Sequence, residues 1–170
     1  HKVIKGDDMS NQIFEIMTKA TIAKGHKRSV DKYHFEVEHI DKILGCWICN
    51  HCFEAKIEKG KPIIYGSLEM HVWYSYLNDS HLLKKVVQYQ EMIDLNCSGH
   101  ILNNQDELKV SCQKIPKCIH ANLNKQIIEL EIEKELALKI IGETTIMVEN
   151  KQNIVNDSDQ EIKVNTDFIT

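Results

Sequence analysis

The chain has 170 residues, of which 42% are hydrophobic and 27% charged, and its formal net charge is −4. This length suffices for one ordinary domain or two small β-modules with a real core. The composition excludes a disordered protein, and no apolar run approaches the roughly 18 residues of a transmembrane helix. The mild negative charge gives no general attraction to nucleic acid or anionic lipid. We therefore expect no nucleic-acid partner and no direct membrane insertion.

The first residues resemble a tag rather than part of a fold. Residues 1–8 show no pattern, and a leading His1 is typical of the end of an affinity tag. Met9 reads as a natural start, and no secretory signal follows it, because Glu15 and Lys19 interrupt the short apolar pairs. We predict that residues 1–8 are a tag remnant and that the protein stays inside the cell that makes it.

Two elements are predicted before residue 40. The first is a short amphipathic helix, followed by a strand near residues 20–24. The apolar spacing that permits the helix is that of Ile13, Phe14, Ile16, Met17 and Ala20. The second is a half-buried strand, since Tyr33, Phe35 and Val37 alternate with polar residues.

The clearest prediction is a long antiparallel hairpin. Its first strand covers residues 66–76, its turn is placed at residues 78–80, and its second strand extends to about residue 95. The inward positions of both strands are Leu68, Met70, Val72, Tyr74, Tyr76, Leu83, Val87, Tyr89, Ile93 and Leu95. Trp73 breaks the alternation, because it places a large aromatic ring on the polar face.

Residues 126–141 fit two structures. Ile128, Leu130 and Ile132 alternate with glutamates as in a strand, but apolar residues also recur every four positions as in a helix. We favour a strand up to about Lys134, because a helix would leave Leu130 on its polar side.

Shorter strands are predicted at residues 108–112, 119–123 and 144–148. Many short strands separated by polar turns favour an all-β fold, an antiparallel β-sandwich, to which the apolar spacing near the N-terminus permits the addition of a short helix. We assign the sandwich to residues 9–149 and a mildly acidic, polar C-terminal tail to residues 150–170.

One cysteine cluster carries the strongest chemical signal. Cys46, Cys49, His51 and Cys52 lie within seven residues, and such spacing is used by zinc sites. The fourth ligand of such a site would be Cys97, Cys112 or Cys118. However, Trp47 and the apolar residues around it indicate a strand, in which Cys46 and Cys49 point to opposite faces. Buried apolar packing is therefore the favoured interpretation of the cysteines, with disulfide formation after release from the cell as an alternative.

No pattern predicts an active site. The histidines at positions 71, 81, 100 and 120 are dispersed, and motifs for nucleophile elbows or phosphate loops do not occur. The basic run over residues 24–32 lacks interleaved aromatics and reads as a solvated strand end. We predict no catalytic, cofactor-binding or metal-binding residues and no cofactor. Trp73, as an outward aromatic on a sheet, is our candidate for a contact surface.

Several stretches together resemble the CotE family of outer spore-coat morphogenetic proteins. The likeness runs in order from about Met9 to Val148 and is carried by residues 9–25, the segment Ile43–His51 with its G-x-W-I-x-N-H pattern, Tyr65-Gly66, Val72–Tyr76 and Ile141–Thr144. Two features depart from the family pattern: the tail is short and weakly acidic, and the cysteines at positions 46, 49 and 52 are additional.

The resemblance implies a non-enzymatic scaffold. Such a protein is made in the mother-cell cytoplasm and then joins the outer coat of the endospore. There it self-associates, contacts a basement-layer morphogenetic ATPase and recruits other coat proteins. We expect self-association to use strand edges and the surface around Trp73, and Cys46, Cys49 and Cys52 to be candidate cross-linking residues. The alternative function is a zinc-dependent protein-binding module built on these cysteines.

Overall fold

The computed structural model describes residues 2–4, 11–97, 102–152 and 160–164, with side-chain environments for residues 13–96 and 102–149. The described residues form strands and no helix, which confirms the all-β prediction. The strands are β1 (Lys2–Ile4), β2 (Asn11–Glu36), β3 (Lys42–Glu58), β4 (Lys61–Tyr76), β5 (Asp79–Glu91), β6 (Asn96–Cys97), β7 (Glu107–Asn124), β8 (Ile127–Gln152) and β9 (Gln160–Val164). Among these residues no helix is long and apolar enough to cross a membrane.

The strands build two antiparallel sheets that pack as a β-sandwich, as the sequence predicts. The large sheet has six strands in the order β1-β2-β8-β7, with β6 paired to β2 and β9 paired to β8. The small sheet has three strands, in which β4 lies between β3 and β5.

The chain divides into two compact units. The larger unit comprises residues 25–95 and 108–138, and the smaller unit residues 1–24, 96–107 and 139–170. In the larger unit the two sheets share one apolar core, in which β4 side chains meet β8 side chains: Leu68, Met70, Val72, Ile128, Leu130 and Ile132. In the smaller unit the buried apolar residues lie on β2 and β8: Ile22, Ala23, Ile140, Ile146 and Val148.

The predicted N-terminal helix is wrong. Residues 11–36 form the continuous strand β2, which pairs with β1, β6 and β8. Ile16 and Met17, two of the apolar positions that suggested a helix, are 42% and 65% exposed. Pairing with neighbouring strands satisfies the backbone of this segment, so tertiary context overrides the local helical spacing.

The segment over residues 126–141 is a strand throughout. Burial alternates strictly with a period of two from Ile128 to Ile140, and Leu130 is 1% exposed. This confirms the strand and excludes the helical alternative. The strand predicted separately at residues 144–148 is the continuation of β8.

The predicted hairpin is confirmed as β4 and β5, but its turn is shifted and its second strand ends at Glu91 rather than near residue 95. Leu77 and Asn78 form the turn, with positive φ angles of 49° and 63°, as a two-residue hairpin requires. Asp79 and Ser80, which the sequence placed in the turn, already pair with Tyr76 and Ser75.

The ends of the chain test the predicted boundaries only in part. β1 pairs with residues 12–14 of β2, and β9 pairs with residues 148–152 of β8. Residues 1 and 5–8 of the predicted tag remnant, and residues 153–159 and 165–170 of the predicted tail, lie outside the described residues. The domain limits at residues 9 and 149 therefore stay predictions.

Among the described residues, one charged side chain lies fully inside the sandwich. Lys134 on β8 is 0% exposed, and its Nζ lies 2.6 Å from Asp31 Oδ2 and 2.9 Å from Glu91 Oε1. The same ammonium lies 4.1 Å from the centroid of the Tyr89 ring. Lys27 also reaches Glu91 at 2.9 Å. The buried charge is therefore compensated by two carboxylates and an aromatic face, as an interior lysine requires.

Candidate functional site

The outward side of the small sheet carries an unusual set of side chains. Residues directly opposite each other in an antiparallel pair point to the same side, so the register defines three rows across β3, β4 and β5. The rows are Cys49–Glu69–Val86, Trp47–His71–Lys84 and Gly45–Trp73–Leu82. We call these nine residues the outer face.

Four of the nine residues of the outer face are apolar and exposed. Trp47 is 57% exposed, Trp73 37%, Leu82 36% and Val86 69%. The Trp47 ring lies over Gly45, since a Cβ added to that glycine would meet the ring at 2.8 Å. The two indoles therefore occupy neighbouring positions. Contiguous exposed aromatics of this kind mark contact surfaces.

The alternation of β4 dictates the position of Trp73. Leu68, Met70 and Val72 are buried between the sheets, so the odd-numbered residues of this stretch point outward. The structure thus places Trp73 on the polar side, where the sequence put it. The sequence did not identify Trp47 as part of a contact surface. Its position beside His71 depends on the register between β3 and β4, which the sequence of β3 alone does not reveal.

A β-bulge changes the side on which the cysteines of β3 point. The register shifts between Cys49 and Cys52, and Asn50 adopts a left-handed conformation with φ of 51°. Cys49 lies opposite Glu69 and Cys52 opposite Ser67, so both thiols are on the outward side. Strict alternation would have put Cys52 on the side of Cys46; bulges commonly re-aim side chains in this way.

Cys46 faces the opposite direction. It lies across from Val72 and packs against the core between the sheets. A hydrogen bond with Cys118 of β7, followed by burial, raises the pKa of Cys46, and the same hydrogen bond lowers the pKa of Cys118 to about 7. The opposite orientation of Cys46 and Cys49 matches the strand geometry expected from the sequence. The zinc set that required both residues is therefore not assembled.

Cys49 instead meets two side chains of β4. Its Sγ lies 3.3 Å from His71 Nε2 and 3.7 Å from Glu69 Oε2, and His71 Nε2 lies 3.4 Å from Glu69 Oε1. Asn50 donates a hydrogen bond of 2.6 Å to Glu69 Oε2. We call Cys49, Glu69 and His71 the polar triad; one donor atom from each lies within 4.8 Å of the others, and all three are half-buried.

The electrostatics of the triad follow from these contacts. The hydrogen bond from Asn50, helped by those from His71 and Cys49, lowers the pKa of the Glu69 carboxyl. Partial burial and the Glu69 carboxylate raise the pKa of the Cys49 thiol, against a smaller opposing effect of Lys84. In the absence of a cation the thiol is therefore a hydrogen-bond donor to an ionised carboxylate.

Sequence reasoning missed Glu69 and His71 as partners of Cys49. Their spacing of two residues on β4 was visible and places both on one face. Which residue of β3 lies opposite them depends on the hairpin register and on the bulge at Asn50, and neither can be read from the hydrophobic pattern.

The residues of the G-x-W-I-x-N-H segment now have physical roles. Gly45 gives room for Trp47, Asn50 forms the bulge and holds Glu69, and His51 Nε2 lies 2.5 Å from the Tyr89 hydroxyl. Gly66, from the Tyr65-Gly66 stretch, makes room for Tyr89, because a Cβ at this position would collide with the Tyr89 ring. The segment that carries the family resemblance therefore shapes both sides of the small sheet.

A shallow groove of about 550 Å³ adjoins the outer face. Residues from all three strands of the small sheet line the groove, including Phe53 of β3, Tyr65 of β4 and Gln88 of β5. Cys52 is part of its wall. Cys52 is exposed, and it is the most accessible of the three cysteines proposed as cross-linking residues. Trp73 and Cys52 are thus on one side of the molecule, and Cys46 is on the other side of the same sheet.

Three cations of the basic run of β2 form ion pairs within the chain. Arg28 Nη2 lies 2.7 Å from Glu133 Oε2, Lys32 Nζ 3.7 Å from Glu131 Oε1, and Lys27 is bound to Glu91 as described above. The run does not form the strand end that the sequence predicted, because residues 24–32 lie inside β2.

Comparison with protein families gives one assignment. The model of the family described as outer spore coat protein E (CotE) matches residues 12–168. This range includes every residue of the outer face and most of the predicted tail. The curated proteins and the solved structures give no match.

Proposed function

Because the chain belongs to the CotE family of outer spore coat proteins, we propose that it is a self-assembling structural scaffold of the endospore outer coat. In this role it associates with further copies of itself and recruits other coat proteins. The role is structural and involves no catalysis. Synthesis in the mother-cell cytoplasm, followed by deposition on the forespore, is part of the proposal.

The observation that carries self-assembly is the apolar half of the outer face. Trp47 and Trp73 stand exposed on a sheet whose opposite side packs against the core between the sheets. Indole rings are enriched at the centres of protein interfaces, where they bury a large area at a small loss of conformational entropy. We therefore assign the self-association surface to Trp73, extended by Trp47, Leu82 and Val86.

Strand edges offer a second kind of contact. Within the described residues, β3 and β5 are the two edges of the small sheet. An edge strand presents unpaired N–H and C=O groups that another copy can extend. Repetition of such a contact between copies produces a ring if the rotation closes, and filaments or sheets if it does not.

The cysteines are proposed to cross-link the coat after the mother cell lyses. Two thiols from neighbouring copies would form one disulfide and give two protons and two electrons to molecular oxygen. Exposure favours Cys52 over half-buried Cys49 and inward-facing Cys46. We therefore expect Cys52 to react first.

Partner binding is proposed on the surfaces that self-assembly leaves free. The basement-layer ATPase and other coat proteins are the proposed partners.

Electron microscopy tests the scaffold proposal. The purified chain at low micromolar concentration, imaged in negative stain with and without reductant, should form regular filaments, rings or sheets. The Cys52→Ser variant should still assemble but should lose the part of the assembly that resists dilution under oxidising conditions. Monodisperse single chains in both conditions, confirmed by sedimentation velocity, would refute self-assembly.

A further inference from the structure

The polar triad combines three donor types that zinc prefers. Cys49 offers a thiol sulfur, His71 an imidazole nitrogen and Glu69 a carboxylate oxygen, and all three side chains point to the outward side of β3 and β4. Thiolate, imidazole and carboxylate ligands together are typical of Zn²⁺ rather than of Mg²⁺ or Ca²⁺, which take oxygen ligands. We propose that this triad binds one zinc ion.

The distances between the donor atoms fit a tetrahedral ion. Zinc bonds of about 2.3 Å to sulfur and about 2.1 Å to nitrogen or oxygen place the ligand atoms of a tetrahedron about 3.4–3.6 Å apart. The observed separations are 3.3 Å from Cys49 Sγ to His71 Nε2, 3.4 Å from that nitrogen to Glu69 Oε1, and 3.7 Å from the sulfur to the other carboxylate oxygen, Oε2. One donor atom from each residue lies within 4.8 Å of the others, so rotation of the Glu69 carboxylate would be needed to bring a single oxygen to tetrahedral distance from both other ligands.

The backbone around the triad holds its ligands in place. Glu69 and His71 lie two residues apart on the central strand β4, and Cys49 lies directly opposite Glu69 on β3. Asn50 donates to Glu69 Oε2 and so leaves Oε1 turned toward His71. A hydrogen bond that orients a metal-binding carboxylate is a regular feature of metal sites. Asn50 lies at the β-bulge with a left-handed φ of 51°, and backbone conformations of this kind concentrate at sites with a function.

The charge balance of binding is simple. The Cys49 thiol loses its proton to solvent, the resulting thiolate and the Glu69 carboxylate neutralise the divalent ion, and His71 binds through neutral Nε2. The three protein ligands leave the fourth position to water, as in zinc sites that remain open. Lys84, opposite His71 in the register, is the cation that opposes binding, so we expect a weaker site than an all-cysteine cluster.

Zinc titration of the whole chain tests the site. Calorimetry with zinc chloride as the only ligand, on protein first treated with a chelator, should give about one ion per chain with release of a proton. Co²⁺ in place of Zn²⁺ should produce the near-ultraviolet band of cobalt bound to a thiolate. Cys49→Ser should remove that band and weaken zinc binding at least tenfold, and His71→Gln should weaken it by a similar factor.

The matched control is Cys52→Ser, which removes an exposed thiol from the same side of β3 and should leave binding unchanged. Circular dichroism checks that each variant keeps its strand content. Absence of zinc binding by the original chain, or equal binding by Cys49→Ser, would overturn the proposal and identify the triad as a hydrogen-bonded cluster only. The titration measures zinc binding by each chain and does not depend on assembly. A chain that binds no zinc would therefore not contradict the assembly proposal, and a chain that does not assemble would not contradict the zinc site.

Discussion

The middle strands of the two sheets present opposite chemistry to the outside. On β8 of the large sheet the outward row is acidic, and its members are bound by cations or an amide from the neighbouring strands: Glu129 by Asn122, Glu131 by Lys32, and Glu133 by both Arg28 and Lys114. On β4 of the small sheet the outward row runs Glu69, His71, Trp73, and its neighbours include Trp47, Leu82 and Val86.

The outward acidic row of the large sheet is bound by groups of the same chain, whereas the outer face of the small sheet leaves apolar side chains in contact with water. The charged row satisfies its own groups and gains little from a partner, because exposed ion pairs already interact with water. Apolar residues are exposed on the large sheet too, and they lie on β2 and β7, the strands that flank the charged row: Ile16, Met17, Val30, Ile115 and Ile119. The outer face places two indoles side by side, and a partner that covers them removes apolar area from water.

The largest effect is expected inside the sandwich, one residue from Glu133 along β8. Lys134→Met keeps most of the apolar stem but leaves the Asp31 and Glu91 carboxylates without their buried cation. We expect a loss of about 3–5 kcal/mol in the free energy of unfolding, measured by urea denaturation. Removal of an outward ion pair on the same strand should cost much less free energy of unfolding. The two kinds of variant therefore measure the difference between the inward and outward sides of β8.

A double variant tests whether Lys134 and Glu91 are energetically coupled. Lys134→Met combined with Glu91→Gln should lose less than the sum of the two single changes, since the second change removes one of the stranded charges. Strict additivity would contradict the account of a coupled buried cluster.

Acid should weaken the same cluster. Burial alone would raise the pKa of the Glu91 carboxyl, but hydrogen bonds from Lys27 and Lys134 outweigh it and hold the pKa below its ordinary value of 4.5. The carboxylate therefore contributes stability that is complete above pH 4.5 and is lost as the pH falls through the lower folded value. The stability advantage of the original chain over Glu91→Gln should shrink along that descent. An advantage independent of pH would contradict the assignment.

The smallest effect is expected on the charged row. Arg28→Ala removes an exposed partner of Glu133 that Lys114 also binds. The melting temperature should fall by no more than a few degrees, and the difference should shrink in high salt, because surface ion pairs are screened. A loss as large as that of Lys134→Met would show that the row holds the sheet together.

Much of the fold could be predicted from the alternation of apolar residues. The inward positions of β4 and the first half of β8 were assigned correctly, because burial on one face fixes a period of two. The N-terminal helix was wrong, since Ile16 and Met17 follow a helical spacing but lie on a strand held by its neighbours.

Much of the candidate site was out of reach of the sequence. Trp73 was found because it breaks a pattern on its own strand. The polar triad depends on which residues of β3 and β4 lie opposite each other, and the bulge at Asn50 shifts that register and turns Cys52 to the outward side. Register and bulges are properties of pairs of strands, and one strand read alone does not contain them.

The central claim is that the outer face drives self-assembly, and sedimentation velocity on two paired variants tests it most directly. Trp47→Ser/Trp73→Ser removes both indoles, and Arg28→Ser/Lys32→Ser makes an equal number of changes on the charged side. With urea midpoints measured first to confirm folding, the tryptophan variant should sediment as a single chain. The charged-side variant should assemble like the original protein. Assembly of the tryptophan variant to the same size as the original would contradict the account.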